Sequence, residues 1–352
     1  MPISSTPLTI ADYAMQSNDP AIQKITLSIL DNGSILDDLP LVTNEQLKVE
    51  GRRINGGDLP ATGWGRVNKA PSEIKTTTSS YEEQVALVRE IIQVDRRLLQ
   101  QKNWIEDPIE TQLQGAMAAH CYDMNDAFFH NDPADATNGN PDAWIGLKTR
   151  VKNPKLYGLA LNSDATTTNL DIAAGATLTT SMTAANANDF LEAIGQAFAR
   201  LGSSDGKGCV AYTNWLVKER WARAIRILGS GGGFRIDQDA FGRMVEQYRQ
   251  CKVRDIGFKK DQNSPIISYT LDSSGNENGN TSFSSGTNYS EMYIVRYGPN
   301  HFKGWQTNPL KPEYLGRSTE TGTYENVLID WGCGLYYPNS RSFARLTGLR
   351  IN

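Results

Sequence analysis

Between residues 107 and 131, apolar side chains recur at Ile109, Leu113, Met117, Cys121, Met124 and Phe128. They form one stripe at helical spacing, while Gln112, Gln114, Asp123, Asn125 and Asp126 lie off it. Asp107 offers an acceptor to the orphan amides of a helix start, Pro108 suits the first helical position, and Glu110 stands where a capping-box partner belongs. The pattern predicts a single long helix over 107–131, solvated on the side that carries Asp123, Asn125 and Asp126.

The chain before this helix is patterned differently. Residues 1–40 read as an arm, with helix starts at Thr9 and at Asn18-Asp19-Pro20, a break at Asn32-Gly33, and an end at Ile35-Leu36-Asp37-Asp38-Leu39-Pro40. From 41 to 80, Gly56, Gly57, Pro60, Gly63, Gly65 and Pro71 punctuate a polar run with few apolar anchors, which predicts an extended loop or loose hairpin. Val85, Leu87, Ile91 and Val94 suit strand or helix, and strand comes first where the chain returns from the loop.

After the long helix come a turn at 138–142, a short apolar piece from Ala143, and a Thr-, Ala- and Asn-rich stretch over 160–186 that reads as loop or edge strand. Phe190, Leu191, Ile194, Phe198 and Leu201 then make one helix face, closed by Gly202. A second helix begins at Thr213, turns Leu216, Trp221, Ala224, Ile225 and Leu228 inward, and stops at Gly229. Residues 261–290 are too poor in core residues to be anything but exposed loop or hairpin. Three β-branched and aromatic runs, 291–297, 323–337 and 343–351, close the chain as strands. The class is α+β, with no internal repeat.

With 39% hydrophobic and 21% charged residues in 352, the chain is of ordinary globular composition, which excludes global disorder. A net charge of -4 argues against a surface that reads duplex nucleic acid. Cys121, Cys209, Cys251 and Cys333 are far apart without a Cys-x-x-Cys pair, so neither a zinc ribbon nor a disulfide framework is indicated and reduced, intracellular folding is the simpler reading. The N-terminal residues have neither the basic start nor the apolar core of a signal peptide, and no stretch approaches the ~18 apolar residues of a membrane span.

Candidate chemistry is sparse. The glycines from Gly229 to Gly233 lack the following Lys-Ser or Lys-Thr of a phosphate loop and come after a helix, so they read as a helix exit. Asp123, Asp126, His130 and Asp132 offer metal donors at helical spacing, although a polar helix face ending on a cation is ordinary. The adjacent acids Asp37 and Asp38, and Glu82 and Glu83, read as solvated pairs. Trp215, Trp221, Phe234, Phe241 and Tyr248 alternate with Lys218, Arg220, Arg223, Arg226, Arg235, Arg243 and Arg249. The simpler reading puts most of the aromatics in the core and the arginines on its rim, and a nucleic-acid surface is the alternative.

The order of segments carries a resemblance. It comprises the arm with Asn18-Asp19-Pro20 and Ser34-Ile35-Leu36-Asp37-Asp38-Leu39-Pro40, the glycine-punctuated loop, and the long helix ending in Phe128-Phe129-His130-Asn131-Asp132-Pro133. Then follow Trp144-Ile145-Gly146-Leu147-Lys148-Thr149-Arg150, two compact helices, and a C-terminal run from Trp331-Gly332-Cys333-Gly334 through Phe343-Ala344-Arg345-Leu346. This resembles the major capsid (coat) proteins of tailed bacteriophages, the Hong Kong 97-type fold.

The resemblance implies an arm (1–40), an extended loop (41–83), a peripheral domain (84–159, with the spine helix at 107–131, and return strands at 303–337) and an axial domain (160–302 and 338–352). It implies a structural, non-enzymatic virion protein without cofactor, metal or membrane. Many copies, as hexamers and pentamers, would self-assemble in the host cytoplasm into an icosahedral head that encloses DNA without sequence-specific binding. The implied partners are a separate scaffolding protein, a portal and a possible decoration protein. Candidate contacts between copies are Arg52, Arg53, Trp64, Arg66 and Lys69 in the loop and Asp123 and Asp126 on the helix. Lys48, Lys69 and Lys75 are the loop lysines, with no identifiable cross-linking partner. A nanocompartment shell protein of the same fold and a β-rich hydrolase remain the alternatives.

Scarce apolar anchors over 50–78 imply low local stability in a free subunit. Limited proteolysis is expected to cut there first in unassembled protein and to be suppressed in assembled particles. Equal cleavage in both states would show that the loop makes no contact between copies.

Overall fold

The computed structural model describes residues 34–53, 79–100, 108–135, 139–152, 155–156, 159–160, 171–229, 234–238, 244–279, 286–307, 312–317, 322–339 and 341–352. The arm's two helix starts, the glycine-rich loop tip and the glycine-rich run at 230–233 lie outside them.

Along the chain, a short helix α1 (Ser34–Asp38) leads into β1 (Leu41–Thr43), β2 (Lys48–Arg53), β3 (Ser79–Gln84) and β4 (Ala86–Asp95), followed by α2 (Arg96–Gln100). The long helix is α3 (Pro108–His130), and α4 (Leu147–Lys152), β5 (Lys155–Leu156), β6 (Leu159–Ala160) and β7 (Asp171–Ala173) follow it. Next come α5 (Ala184–Arg200), β8 (Cys209–Thr213), α6 (Trp215–Ile227), β9 (Phe234–Gln238), β10 (Met244–Tyr248) and β11 (Cys251–Asp255). The last strands are β12 (Tyr289–Arg296), β13 (Lys303–Gln306), β14 (Pro312–Arg317), β15 (Tyr324–Tyr336) and β16 (Phe343–Arg350).

Two larger sheets result. In a five-stranded sheet, β15 pairs with β4 along one edge and with β13 and β14 along the other, and β1 extends it beside β13. The second sheet has seven strands in the order β7-β16-β12-β8-β11-β10-β9. Between β1 and β4, β2 and β3 form a separate antiparallel ladder from Lys48 opposite Gln84 to Arg53 opposite Ser79. Of the two expectations for this stretch, extended loop or loose hairpin, the base is a hairpin, and a regular one. Leu41 to Thr43 belong to a sheet, and the hairpin stem is regular because Lys48 to Arg53 and Ser79 to Gln84 contain no proline and only one glycine. This α+β order of hairpin, long helix, one sheet, and a second sheet backed by two helices is the one the Hong Kong 97-type resemblance implies.

Strand alternation explains the layers. On β15, Ile329, Trp331, Cys333 and Leu335 point to one core together with Leu113, Met117 and Cys121 of α3. On β12, Tyr293 and Val295 join that same core, while Met292 and Ile294 face the other way, into a second core under α5 and α6. The seven-stranded sheet is therefore covered on both faces, which is why β8 is buried at every residue. Both helices start on side-chain caps: Thr183 accepts from Asn186, and Asn214 accepts from Val217. Helix α6 therefore begins at Trp215, because Thr213 is still the last residue of β8.

At ~1.5 Å per residue the 23 residues of α3 extend about 34 Å. Its stripe is buried as expected from Leu113 to Phe128, but Asn125, expected on the solvated side, is only 1% exposed, and Phe129 is buried as well. The last turn is enclosed on a wider arc because the second sheet closes over it. Phe128 meets Phe302 and Trp144 edge-on at 5.6 and 6.4 Å between centroids, and Phe129 packs against Tyr212 and Tyr293 at 5.6 and 5.1 Å. Trp221 and Tyr248 are core while Trp215 is 40% exposed, in keeping with most of those aromatics lying inward, but one expectation is corrected: the 261–290 stretch is pinned by buried Ile266, Ile267 and Leu271.

Phe128→Ala is expected to cost about 3–5 kcal/mol in urea denaturation, and Phe128→Asp to prevent folding by burying a charge without a partner. Asp123→Asn on the exposed side should stay within about 0.5 kcal/mol of wild type. A Phe128→Asp protein with an unchanged midpoint would mean that the helix is turned otherwise.

Candidate functional site

The charged residues of greatest consequence lie at α1, at the β2–β3 ladder and at the end of α3. At α1, Arg254 on β11 donates through Nη2 to Asp37 Oδ2 at 2.8 Å and to Asp38 Oδ1 at 3.0 Å. Lys252 Nζ lies 3.3 Å from the same Asp38 oxygen, and Tyr212, bonded to Tyr297 at 2.7 Å, donates to the other at 3.4 Å. Burial opposes charge on Arg254, but Asp38 and Asp37 outweigh it and hold the guanidinium above its ordinary pKa. The expectation of a solvated acid pair is corrected: both carboxylates are buried, since Ile35, Leu36 and Leu39 around them sit in the core.

The second junction roots the hairpin. Arg150, on α4, grips Glu83, on β3, through both guanidinium ends at 2.6 and 3.0 Å, donates Nε to Ile145 O at 3.0 Å, and stacks 4.7 Å above the Tyr337 ring. A planar fork on a carboxylate fixes direction as well as distance. Glu83 is thus no solvated acid either, and its neighbour Glu82 pairs with Lys48 across the ladder at 2.6 Å.

The third junction fastens the end of α3 to the seven-stranded sheet. Glu291, on β12, is 1% exposed and accepts from Tyr293 at 2.9 Å and from Arg345 Nε at 2.8 Å, and His130 Nε2 lies 3.4 Å away. On its other side His130 Nδ1 is 3.2 Å from Asp126, whose second oxygen is 3.1 Å from Lys259. Arg345 also reaches Asp171 at 3.4 Å and the Gly275 carbonyl at 3.3 Å. Gly275 has φ +80°, and a Cβ there would fall 2.0 Å from Arg345 Nη2, so only glycine fits.

Burial raises the Glu291 pKa, but His130, Arg345 and Lys148 together overcome it and hold the carboxyl at about 2. Burial likewise disfavours charged His130, and Asp126 and Glu291 outweigh it, so its pKa lies above 6.5. A polar cavity of about 800 Å³, lined in part by Asp132, Lys148, Lys259 and Glu277, opens onto this junction.

The candidate contact residues are placed as follows. Arg52 and Arg53 lie opposite Ser80 and Ser79 in the ladder, while Trp64, Arg66 and Lys69, with Lys75, lie outside the described residues. Asp123 is exposed, 3.8 Å from Lys260, and Asp126 is engaged by His130 and Lys259, so both meet the 257–264 loop of their own chain. Asp126 and His130, two of the metal-donor candidates, do meet, but Lys259 closes on Asp126, and among the described residues no group of three or more His, Cys, Asp or Glu is placed to hold a metal ion. Burial pushes the Cys121 thiol up to about 12 and, against Ser203 and Arg296, Cys209 to about 11, so neither is a thiolate nucleophile near neutral pH.

Glu83–Arg150 and Glu291–Arg345 have no short-range signature. The available signal was a lone acid or base inside an apolar strand run, as in Glu291-Met292-Tyr293-Ile294 and Phe343-Ala344-Arg345-Leu346, because a buried charge needs a partner.

No family model matches the chain, and no curated protein matches it. Three solved structures illustrate the similarity found. The holo-SrpI encapsulin complex from Synechococcus elongatus PCC 7942 aligns at 12% identity over 89% of this chain and 85% of that one, TM-score 0.49. The capsid of the native GTA particle aligns at 12% identity over 92% and 90%, TM-score 0.49. Microbacterium phage Oxtober96 aligns at 12% identity over 91% of each chain, TM-score 0.48. At such identities and scores these likenesses carry no argument about function.

Because His130 has its pKa raised on folding, its contribution to stability is complete below pH 6.5 and is lost as pH rises through its folded value. The urea midpoint of the wild type is expected to fall between about pH 6 and pH 9, and that of His130→Gln to stay flatter. Parallel curves would show that His130 does not bridge the two carboxylates.

Proposed function

We propose that this chain is the major capsid subunit of a tailed bacteriophage, many copies of which assemble into an icosahedral head around DNA. The observation that carries the reading is the β2–β3 ladder. It belongs to neither large sheet, and an isolated two-stranded hairpin is marginal in water, yet this one is rooted by a buried, two-pronged ion pair. Such an element does little for its own subunit and suits contact with another copy.

Nearby surfaces support the same conclusion. Strand β4 pairs only with β15 among the described residues, which leaves a ten-residue edge. Leu87 and Ile91 on that strand are 48% and 55% exposed, and Leu47 beside the ladder is exposed too. Apolar side chains along an open edge fit an interface between copies. Heterologous contacts of this kind close into rings, here hexamers and pentamers.

In this reading residues 1–40 are the arm, 41–83 the extended loop, 84–159 and 303–337 the peripheral domain, and 160–302 with 338–352 the axial domain. Arg52, Arg53, Trp64, Arg66 and Lys69 then meet a neighbouring copy, and Asp123 and Asp126 are reserved for contacts that compete with their internal lysines. A scaffolding protein, a portal and, where the shell carries one, a decoration protein complete the set, assembly takes place in the host cytoplasm, and the product is a virion. The chain acts by contact, not catalysis.

Sedimentation of the purified protein at several concentrations, with negative-stain images of the product, is expected to show capsomer rings or closed shells. A stable monomer under every condition would sink the reading. Shells that hold a protein cargo and no nucleic acid would identify a nanocompartment instead.

A further inference from the structure

Helix α6 turns an arginine ridge outward. Its thirteen residues carry Lys218, Arg220, Arg223 and Arg226 against a single acid, Glu219. Two of the cations have local explanations: Lys218 lies 3.5 Å from Glu246, and Arg226, in the last turn, complements the helix dipole. Arg220 and Arg223 have none, since among the described residues neither has a carboxylate at ion-pair distance. Arg220 Nε is shut away from water without a hydrogen-bond acceptor, and burial, then Arg223 beside it, lowers the guanidinium's pKa. A positive potential is therefore left uncompensated on a face flanked by exposed Trp215 and Ile227.

We propose that Arg220, Arg223 and Arg226 form a contact surface for the phosphate backbone of nucleic acid, weak and without sequence preference. The identity of this polyanion rests on the shell reading, in which every copy faces an enclosed genome. Residues three apart on a helix stand about 5–6 Å from one another, and each strand of a duplex carries a phosphate for about every 3.4 Å of its axis. A ridge of three arginines therefore meets a dense row of anions, and the guanidinium fork matches phosphate oxygens. An overall charge of -4 confines this attraction to the ridge and keeps it weak.

The test is fluorescence anisotropy of a short labelled duplex DNA with the full chain, over a range of salt concentrations. The variants are Arg220→Gln/Arg223→Gln/Arg226→Gln and a control of equal charge change, Arg97→Gln/Arg317→Gln/Arg341→Gln. With thermal midpoints unchanged, the ridge variant is expected to bind at least about tenfold more weakly at low salt and to lose about 2–3 from the log–log salt slope, at ~0.9 per phosphate. Replacing the same three arginines by lysine should largely retain binding, since the charges remain.

Equal losses in both triple variants, or no loss in the ridge variant, overturn the contact. So does a ridge variant that binds DNA normally but fails to assemble, which would assign the face to an acidic protein surface. A monomeric wild type that binds DNA through the ridge would overturn the shell reading alone, whereas shells whose ridge variant binds DNA unchanged would overturn the contact alone.

Discussion

Two consecutive aromatic residues at the end of one helix hold the molecule together. Phe128 and Phe129 are about 100° apart around α3, so although both touch Tyr212, their other partners differ. One ring enters the pocket of Trp144 and Phe302, and the other lies on Tyr212 and Tyr293 of the seven-stranded sheet. Both are fully buried, and both belong to the core that also contains Ile329, Trp331 and Leu335 of the other sheet. The position of each sheet is thereby referred to the same half-turn of helix. Close packing makes this arrangement stiff, because a shift of either sheet would open space that neither ring can fill.

Around that apolar point the buried charges act as directional fasteners. Hydrophobic contact resists separation but tolerates sliding, whereas a carboxylate with an arginine fork has one good geometry. Desolvation makes such pairs uncertain contributors to net stability, while removal of either partner strands the other at a cost of about 3–5 kcal/mol. Asp37 with Arg254, Glu83 with Arg150, and Glu291 with Arg345 each stand where a segment joins the body: the arm, the hairpin and the helix end. For the proposed shell subunit, contact strength would depend on presenting those segments at reproducible angles. Fixing their roots limits the ordering cost of association.

The surface complements this interior. Its buried charges stand in pairs at the junctions, while β4 exposes Leu87 and Ile91 and α6 carries four cations against one acid. An exposed ion pair such as Asp123 with Lys260 contributes little. The proposed contacts with other copies and with phosphate thus draw on groups that the fold itself does not require.

What the amino-acid order determined alone was local. Helix α3 was legible almost to the residue, because its stripe, its proline start and its acidic first turn all act within a few positions. Strands β12, β15 and β16 were legible from alternation, unlike β9 to β11, β13 and β14, and α5 and α6 from their apolar faces and the glycines that follow them. The candidate contact residues could be named but not placed. Only the tertiary structure decided which strands became neighbours, and with them every buried charge pair: Asp37 lies 217 residues from Arg254, Glu83 67 from Arg150, and Glu291 54 from Arg345. Asp37-Asp38 and Glu82-Glu83 looked solvated because adjacent acids repel unless a cation arrives from elsewhere, and Asn125 looked exposed because the sheet that covers it is assembled from distant segments. Periodicity is a property of neighbouring residues, whereas desolvation depends on what the rest of the chain brings against them.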